Sequence, residues 1–273
     1  MKKVFIFTVL FMLPALTKSL AGAWVQEKGK SLHIFTYYFY TTDKLFKGYG
    51  DREAIPNNGK FTKHEFNYYM EAGLLKRLTL VGNFFFDFLE FKDAFSKDRN
   101  RGLGDQEVGI RVNLFNEPFV FSVQGLFVFP AYSLDDTPLL GNQDVGLEGK
   151  LLAGKSFLLL EIPSYVNTEA GIRFRIGEPS DQIRYQLLLG IKPRTGWEII
   201  LAIDGIEGLR NEEPFRVSKN VTINPDFSLI KGTGSVVIPI TRSLSLEFGG
   251  FWHFMGRNTG EGWGIKVGSW FRL

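Results

Sequence analysis

The chain lacks cysteine and contains only three histidines among its 273 residues. Without cysteine, neither disulfide bonds nor thiolate metal sites can form, and so few histidines argue against a histidine-rich metal site. We therefore predict no metal site and no cofactor. An exported protein without cysteine also cannot form wrong disulfides in an oxidising compartment.

Long apolar runs are equally scarce, and the clearest one lies at the N-terminus. Lys2 and Lys3 precede the apolar stretch Val4–Leu16, and Ala21 ends a small-residue cleavage pattern. The stretch is too short for a membrane-spanning helix, which needs about 20 residues, but it matches a signal peptide. We predict that residues 1–21 are a signal peptide, with cleavage after Ala23 as the alternative. Residues 22–273 then form one exported domain.

A surplus of positive charge is absent once that peptide is removed. The full chain carries 32 Lys plus Arg against 29 Asp plus Glu, and the peptide contains Lys2, Lys3, Lys18 and no acid. The remaining chain is therefore balanced. A nucleic-acid partner requires a basic surplus clustered on one face, so no nucleic-acid partner is predicted.

Aromatic residues and glycines are abundant: 27 Phe, 9 Tyr, 5 Trp and 30 Gly. Together with alternating apolar and polar residues, this composition indicates many short strands. Residues 153–164 are interpreted as an extended turn because Phe157–Ile162 is apolar on both faces, and the tenth strand lies somewhere within Val221–Ile238. The predicted strands are Ser31–Thr41, Phe61–Leu74, Thr79–Phe91, Asp105–Leu114, Phe119–Phe129, Asp144–Leu152, Tyr165–Ile176, Gln182–Lys192, Trp197–Glu207, the Val221–Ile238 strand, Leu244–Arg257 and Gly262–Leu273.

Long polar connections alternate with short turns between these strands. An even strand number with this asymmetry is typical of bacterial outer-membrane barrels, which have short periplasmic turns and longer outer loops. Within Asp105–Leu114, Val108 and Ile110 share one face while Glu107 and Arg111 share the other. We predict an all-β fold, a transmembrane antiparallel up-and-down β-barrel of about twelve strands in the Gram-negative outer membrane, with outer-membrane lipid as a partner.

The C-terminal strand supports the same fold. Ile265, Val267 and Phe271 alternate up to Leu273, as in the final strand of outer-membrane barrels, although the last residue is not aromatic. We expect the barrel-assembly machinery to recognise this strand.

Several short segments carry a family resemblance. They are Gly22-Ala23-Trp24-Val25-Gln26, Gly102-Leu103-Gly104-Asp105, Glu169-Ala170-Gly171-Ile172-Arg173-Phe174-Arg175 and the closing strand. The chain resembles the outer-membrane proteins associated with the meta-cleavage pathway of phenol degradation. This resemblance implies a barrel and, by association, the movement of small, hydrophobic or aromatic molecules, and it supplies no catalytic residues.

If the apolar strand faces meet lipid, the charged residues on the other faces line the lumen. Buried charges are tolerated when they are paired, so cross-strand ion pairs are one interpretation and a selective passage is the other. Arg173, Arg175 and Arg184 form a basic strip on adjacent strands, but Glu148 and Glu169 lie close enough to neutralise it. The lumen candidates are Glu107, Arg111, Glu148, Lys150, Glu169, Arg173, Arg175, Arg184, Glu247 and Lys266, with Tyr69, Phe85, Phe251 and Met255 as apolar ones.

The leading function hypothesis is a channel for passive or facilitated diffusion of small-molecule solutes. A plugged barrel with a structural or surface-interaction role is the alternative, because twelve strands lie between filled eight-stranded barrels and open sixteen-stranded ones. An outer-membrane lipase would need a histidine and a serine adjacent on the lipid face, and we find no such pair in the sequence. We therefore expect no enzyme activity.

Overall fold

The computed structural model describes residues 22–48, 50–133, 135–142, 145–177, 179–210 and 219–273. Its strands are joined by turns and loops, and neighbouring strands in the wall run in opposite directions. In chain order they are β1 (Ser31–Phe46), β2 (Arg52–Ala54), β3 (Lys60–Leu75), β4 (Leu78–Lys92), β5 (Lys97–Leu103), β6 (Asp105–Phe115), β7 (Val120–Pro130), β8 (Val145–Leu159), β9 (Ile162–Ile176), β10 (Gln182–Arg194), β11 (Trp197–Gly208), β12 (Ser228–Pro239), β13 (Leu244–Arg257) and β14 (Thr259–Arg272).

These strands close into an antiparallel barrel. Each long strand pairs with its neighbours in the chain, and β14 pairs with β1 from Leu32↔Arg272 to Phe46↔Thr259. β5 and β6 both pair with β4 and together occupy one position in the wall, interrupted at Gly104. Short β2 pairs with the end of β1. Counted over the described residues, the barrel has twelve strand positions, and the predicted fold class is confirmed.

The outer wall carries an apolar belt. Phe35, Phe66, Leu147, Leu187 and Trp263 are each more than half exposed. Many inward positions on the same strands are polar and buried, among them Glu71 and Glu148. Because exposed apolar surface on this scale needs lipid around it, the chain is an outer-membrane barrel.

The connection between β8 and β9 differs from the prediction. Residues 153–164 are not an extended turn; β8 continues to Leu159 and β9 begins at Ile162. Leu160 and Glu161 both have positive φ, as in a two-residue hairpin turn. Pro163 is tolerated because it lies beyond the last β9–β10 pair, Ile191↔Ser164, where no ladder hydrogen bond is lost.

The tenth predicted strand lies within its predicted range and extends one residue beyond it. Its strand is Ser228–Pro239, and residues 221–227 belong to the preceding loop. Several other strands extend further towards the long connections than predicted, including β1 to Phe46 and β14 from Thr259. The predicted signal peptide lies outside the described residues. The described part of the chain contains no helix long and apolar enough to cross a bilayer.

Candidate functional site: the barrel interior

The segment before β1, residues 22–30, runs inside the barrel at the short-turn end. The Ala23 N–H donates to Asn167 Oδ1 at 2.7 Å, and Ser122 Oγ donates to the Ala23 carbonyl at 2.5 Å. The Gln26 N–H donates to Thr79 Oγ1 at 2.9 Å. These partners lie on β4, β7 and β9, so the segment crosses much of the interior. Nothing in the sequence pattern had indicated this placement.

Arg111 holds residues 22–30 in place through hydrogen bonds. Its guanidinium donates to the Trp24 carbonyl at 3.1 Å, to Glu71 Oε1 at 2.7 Å and to Gln124 Oε1 at 2.9 Å. A further bond reaches the Tyr69 hydroxyl at 3.2 Å. Gln26 Nε2 donates to the other oxygen of Glu71 at 2.6 Å. Arg111 and Glu71 are almost completely buried, so this ion pair helps residues 22–30 to fill the short-turn end of the barrel.

A second charged network occupies the middle of the lumen. Arg173 bonds both Glu107 and Glu148, and Lys150 lies 2.9 Å from Glu148 and 3.5 Å from Glu169. Arg184 approaches Glu148 at 3.4 Å. Three carboxylates therefore meet three cations, and the predicted basic strip is neutralised.

The remaining inward charges are paired locally. Lys266 lies 2.6 Å from Glu247, whose oxygens also accept hydrogen bonds from Ser235 and Trp270. Asp204 is bonded by Gln186 at 2.6 Å and lies 3.6 Å from Lys231.

Lys63 was missed by the sequence interpretation. It lies 2.6 Å from Glu65 and 3.2 Å from Asp87. Strict alternation from Glu65 would have placed Lys63 on the inward face, which was the available signal.

A polar cavity of about 130 Å³ lies between two of these networks. Its lining includes Lys150, Glu169, Arg184, Asp204 and Lys231. A buried water needs roughly 10–15 Å³ of such space, so several waters or one small solute fit here.

Apolar side chains fill the interior at the loop end, and we call this group the mouth cluster. It combines inward strand residues with residues from three long connections. Phe251 packs against it, stacks on Tyr40 and lies under the Lys231 ammonium group at 5.8 Å. The buried members are Tyr40, Ile55, Phe61, Leu89, Phe91, Leu140 and Val221.

A smaller apolar cluster fills the short-turn end beside the N-terminal segment. Leu32, Ile200, Val237 and Trp270 are buried there, with Leu188 packed against them. The interior is thus apolar at one end, charged in the middle, and filled by the N-terminal segment and this cluster at the other end.

Two predicted lumen residues, Arg175 and Tyr69, have roles other than lining, whereas Phe85 lies where it was predicted. Arg175 donates to the carbonyls of Ser180 and Pro225 at 2.7 and 2.8 Å, and so holds two loops. Tyr69 acts through its hydroxyl, which bonds Glu71 and Arg111, and is not an apolar surface. Phe85 lies on the inward face of β4, where alternation had placed it.

Met255 was wrongly placed on the inward face. The pairing of β12 with β13 slips by one residue, so that Lys231 opposes His253 while Ile230 opposes Met255. Lys231 points inward to Asp204, and its neighbour Ile230 therefore points outward together with Met255. The side chain of Met255 is 46% exposed. A bulge at Phe254 is the physical reason.

The expectation of no serine–histidine pair on the lipid-facing wall was also wrong. Ser31 Oγ lies 2.9 Å from His33 Nε2, and His33 Nδ1 lies 2.8 Å from the Tyr68 hydroxyl. A nucleophilic site also needs donors for an oxyanion. The Ser31 N–H already donates to the Leu273 carbonyl at 2.9 Å, so it is not available for that task.

The fold has a solved counterpart. The COG4313 outer membrane channel from Pseudomonas putida F1 is 14% identical, with a TM-score of 0.71 over 94% of this chain and 100% of that chain. The chain has the fold of an outer-membrane channel. The translocator domain of the autotransporter NalP from Neisseria meningitidis is 8% identical with a TM-score of 0.46, over 91% of this chain and 90% of that one. That likeness is too distant to bear on function.

The sequence comparisons found no relatives. No protein-family model matches the chain, and no curated protein matches it.

Proposed function

We propose that the barrel is an outer-membrane channel for small molecules that carry a hydrophobic or aromatic part. The observation that carries this proposal is the mouth cluster. Interiors of hydrophilic pores are polar, whereas here Tyr40, Phe61, Leu89 and Phe91 occupy inward strand positions. An apolar solute can exchange contacts with such side chains without losing hydrogen bonds.

The described conformation is closed, so transport requires movement of loops and of residues 22–30. Leu140 and Val221 cover the mouth from connecting loops, and the N-terminal segment is held by hydrogen bonds to side chains. Because the charges between these two closures are paired, we expect little selectivity for solute charge. The fold-level likeness to a channel supports the proposal, and the resemblance to the phenol-pathway proteins suggests the aromatic solute class.

The proposal is tested by uptake of a radiolabelled phenol and of a sugar into liposomes containing the refolded protein. Leu140→Ala/Val221→Ala removes packing from the mouth, so phenol uptake should rise several-fold. Leu209→Ala is the matched control, since Leu209 is an exposed loop residue outside the cluster. Phenol uptake no faster than in protein-free liposomes, for wild type and double variant alike, would refute the channel.

A plugged barrel that acts through its surface loops is the second candidate. It is favoured by the extent to which residues 22–30 and the ion pairs fill the interior. Under this alternative the folded protein transports neither solute, and substitutions in the mouth cluster change stability alone.

A further inference from the structure

On the outer wall, the neighbouring strands β3, β4 and β5 change from apolar to basic residues towards the loop end. Their register places Phe66, Phe86 and Leu103 side by side in one outward row. All three are exposed, as lipid-facing residues should be. The next outward rows are His64–Phe88–Arg101, Thr62–Glu90–Arg99 and Lys60–Lys92–Lys97. We call the five cations of these rows, Lys60, Lys92, Lys97, Arg99 and Arg101, the basic rim patch.

The basic rim patch has too few carboxylates within its three rows to neutralise its five cations. Glu90 is the one carboxylate in the three rows, and it pairs with Lys97 at 3.1 Å and with Arg99 at 2.7 Å. Lys60, Lys92 and Arg101 have no ion-pair partner among the described residues. Like charges directly opposite each other across strands are destabilising, yet Lys60, Lys92 and Lys97 form such a row. An external anion would relieve this repulsion.

The position of the patch matches that of lipid headgroups. The outward face of β4 is apolar from Leu78 to Phe88, about the length that spans a bilayer core in a tilted strand, and Glu90 and Lys92 follow. Long connections mark the extracellular end, so the patch meets the outer leaflet. On β9 and β10 the outward residues stay apolar up to Ile176 and Ile183, so these two strands carry no matching rows of cations there.

A surface cavity lies within the patch. It has a volume of about 630 Å³ and is lined by Thr62, His64, Phe88, Arg99 and Arg101, among others. The Tyr37 hydroxyl lies 2.7 Å from His64 Nδ1 and holds that side of the cavity in place. Aromatic and cationic groups therefore converge on one concave region of the outer wall.

We propose that the basic rim patch binds a phosphorylated lipid of the outer leaflet. The phosphate groups pair with Lys60, Lys92 and Arg101, and the acyl chains lie along Phe66, Phe86 and Leu103. Guanidinium groups suit phosphate because their planar fork can donate two hydrogen bonds. A free phosphate ion could also pair with the cations, but the patch lies at headgroup level directly beyond an apolar, lipid-facing row, which is why a lipid is the favoured source of the anion.

The test measures binding of lipid A to the detergent-solubilised, refolded protein by native mass spectrometry. Each cation near an anionic surface contributes roughly a fivefold factor in affinity. Lys60→Gln/Lys92→Gln/Arg101→Gln should therefore weaken lipid A binding about a hundredfold. The control, Lys28→Gln/Lys76→Gln/Lys155→Gln, removes three exposed lysines at the other end and should leave the affinity within about twofold.

Two further probes separate the sources of the anion. Dephosphorylated lipid A should bind wild type at least tenfold more weakly, and inorganic phosphate should displace lipid A only at millimolar concentrations. Equal binding of both lipids, equal losses in the two triple variants, or phosphate binding as tight as that of lipid A would each overturn the proposal. If the triple variant does not refold, Arg101→Gln alone should lower the affinity for lipid A about fivefold. An unchanged affinity in that variant would also overturn the proposal.

Discussion

Arg111 illustrates how this barrel keeps charge in its interior. Each guanidinium nitrogen has a partner, and those partners come from β3, β7 and the N-terminal segment. Such a group is costly to bury alone but acceptable when it is fully bonded. Its role is to join three separate parts of the chain rather than to offer a charge to solutes.

The first prediction follows from that pairing. Glu71→Gln leaves the Arg111 charge without its carboxylate and should lower the free energy of unfolding by about 3–5 kcal/mol. Urea unfolding in lipid vesicles, followed by tryptophan fluorescence, measures the change. Glu161→Gln, in the exposed β8–β9 turn, is the control and should change it by less than about 0.5 kcal/mol. Equal effects of the two substitutions would show that Arg111 does not depend on Glu71.

Ser31 and His33 allow a second test at this scale. The absence of enzyme activity remains a prediction. The hydrogen bond between Ser31 and His33 identifies the two residues at which it can be tested. We expect no release of fatty acid from phospholipid vesicles containing the refolded protein. Release that disappears in Ser31→Ala but persists in Ser156→Ala would overturn the expectation and identify a lipid-facing hydrolase.

At the scale of single elements, bulges and turns limited what the sequence could predict. The alternation in Gln182–Lys192 and Leu244–Phe254 predicted strands because one face of each is apolar and the charged residues lie on the other face, which they share with Leu188 and Phe251. The sequence interpretation placed Met255 on the wrong face because one inserted residue reverses the face of each residue that follows it in the strand. No residue type in the sequence marks such an insertion. The β8–β9 turn was missed because Leu160 and Glu161 adopt positive φ without the glycine or asparagine that usually signals it.

The sequence pattern could not predict where the N-terminal segment lies or which residues form the mouth cluster, and the reason is different. Both bring together residues far apart in the chain: Ala23 is hydrogen-bonded to Asn167, and Tyr40 and Val221 belong to one buried cluster. Periodicity reports which face of a strand is buried, but not which distant segment covers it. The inward charges, by contrast, followed from alternation alone.

The loop before β12 is held by a salt bridge that should respond to acid. Asp226 receives hydrogen bonds from Arg257 at 2.6 and 3.1 Å and from Ser180 at 3.1 Å. Partial burial would raise the pKa of Asp226, but the hydrogen bonds and charge of Arg257 outweigh it and hold this pKa below its ordinary value.

This shift fixes the sign of the pH dependence. Ionised Asp226 contributes stability above the ordinary aspartate pKa of about 3.9 and loses it as the pH falls towards the lower, folded-state pKa. Hydrogen exchange of residues 220–227, corrected for intrinsic rates, should therefore be faster at pH 3 than at pH 7. Asp226→Asn should be fast at both values. A wild-type loop whose protection is independent of pH would contradict this role of Asp226.

For the whole molecule, the barrel combines a wall that needs lipid with an interior closed at both ends. The apolar belt, the neutralised charges and the two closures are separate features, and the first is required of any barrel that spans a membrane. The charged middle with its cavity lies between closures that are held by side-chain packing and hydrogen bonds. The proposed channel function requires that both closures open.

Single-channel conductance of the refolded protein in planar bilayers tests that claim most directly, by comparing wild type with a variant that lacks residues 22–28. We predict rare, small openings for wild type and stable openings of several-fold larger conductance for the deletion, because the segment bonded by Asn167, Ser122 and Thr79 is gone. Both proteins must first show the heat-modifiable mobility of a folded barrel. Folded protein that is silent in both forms would contradict the channel and leave the plugged barrel as the account.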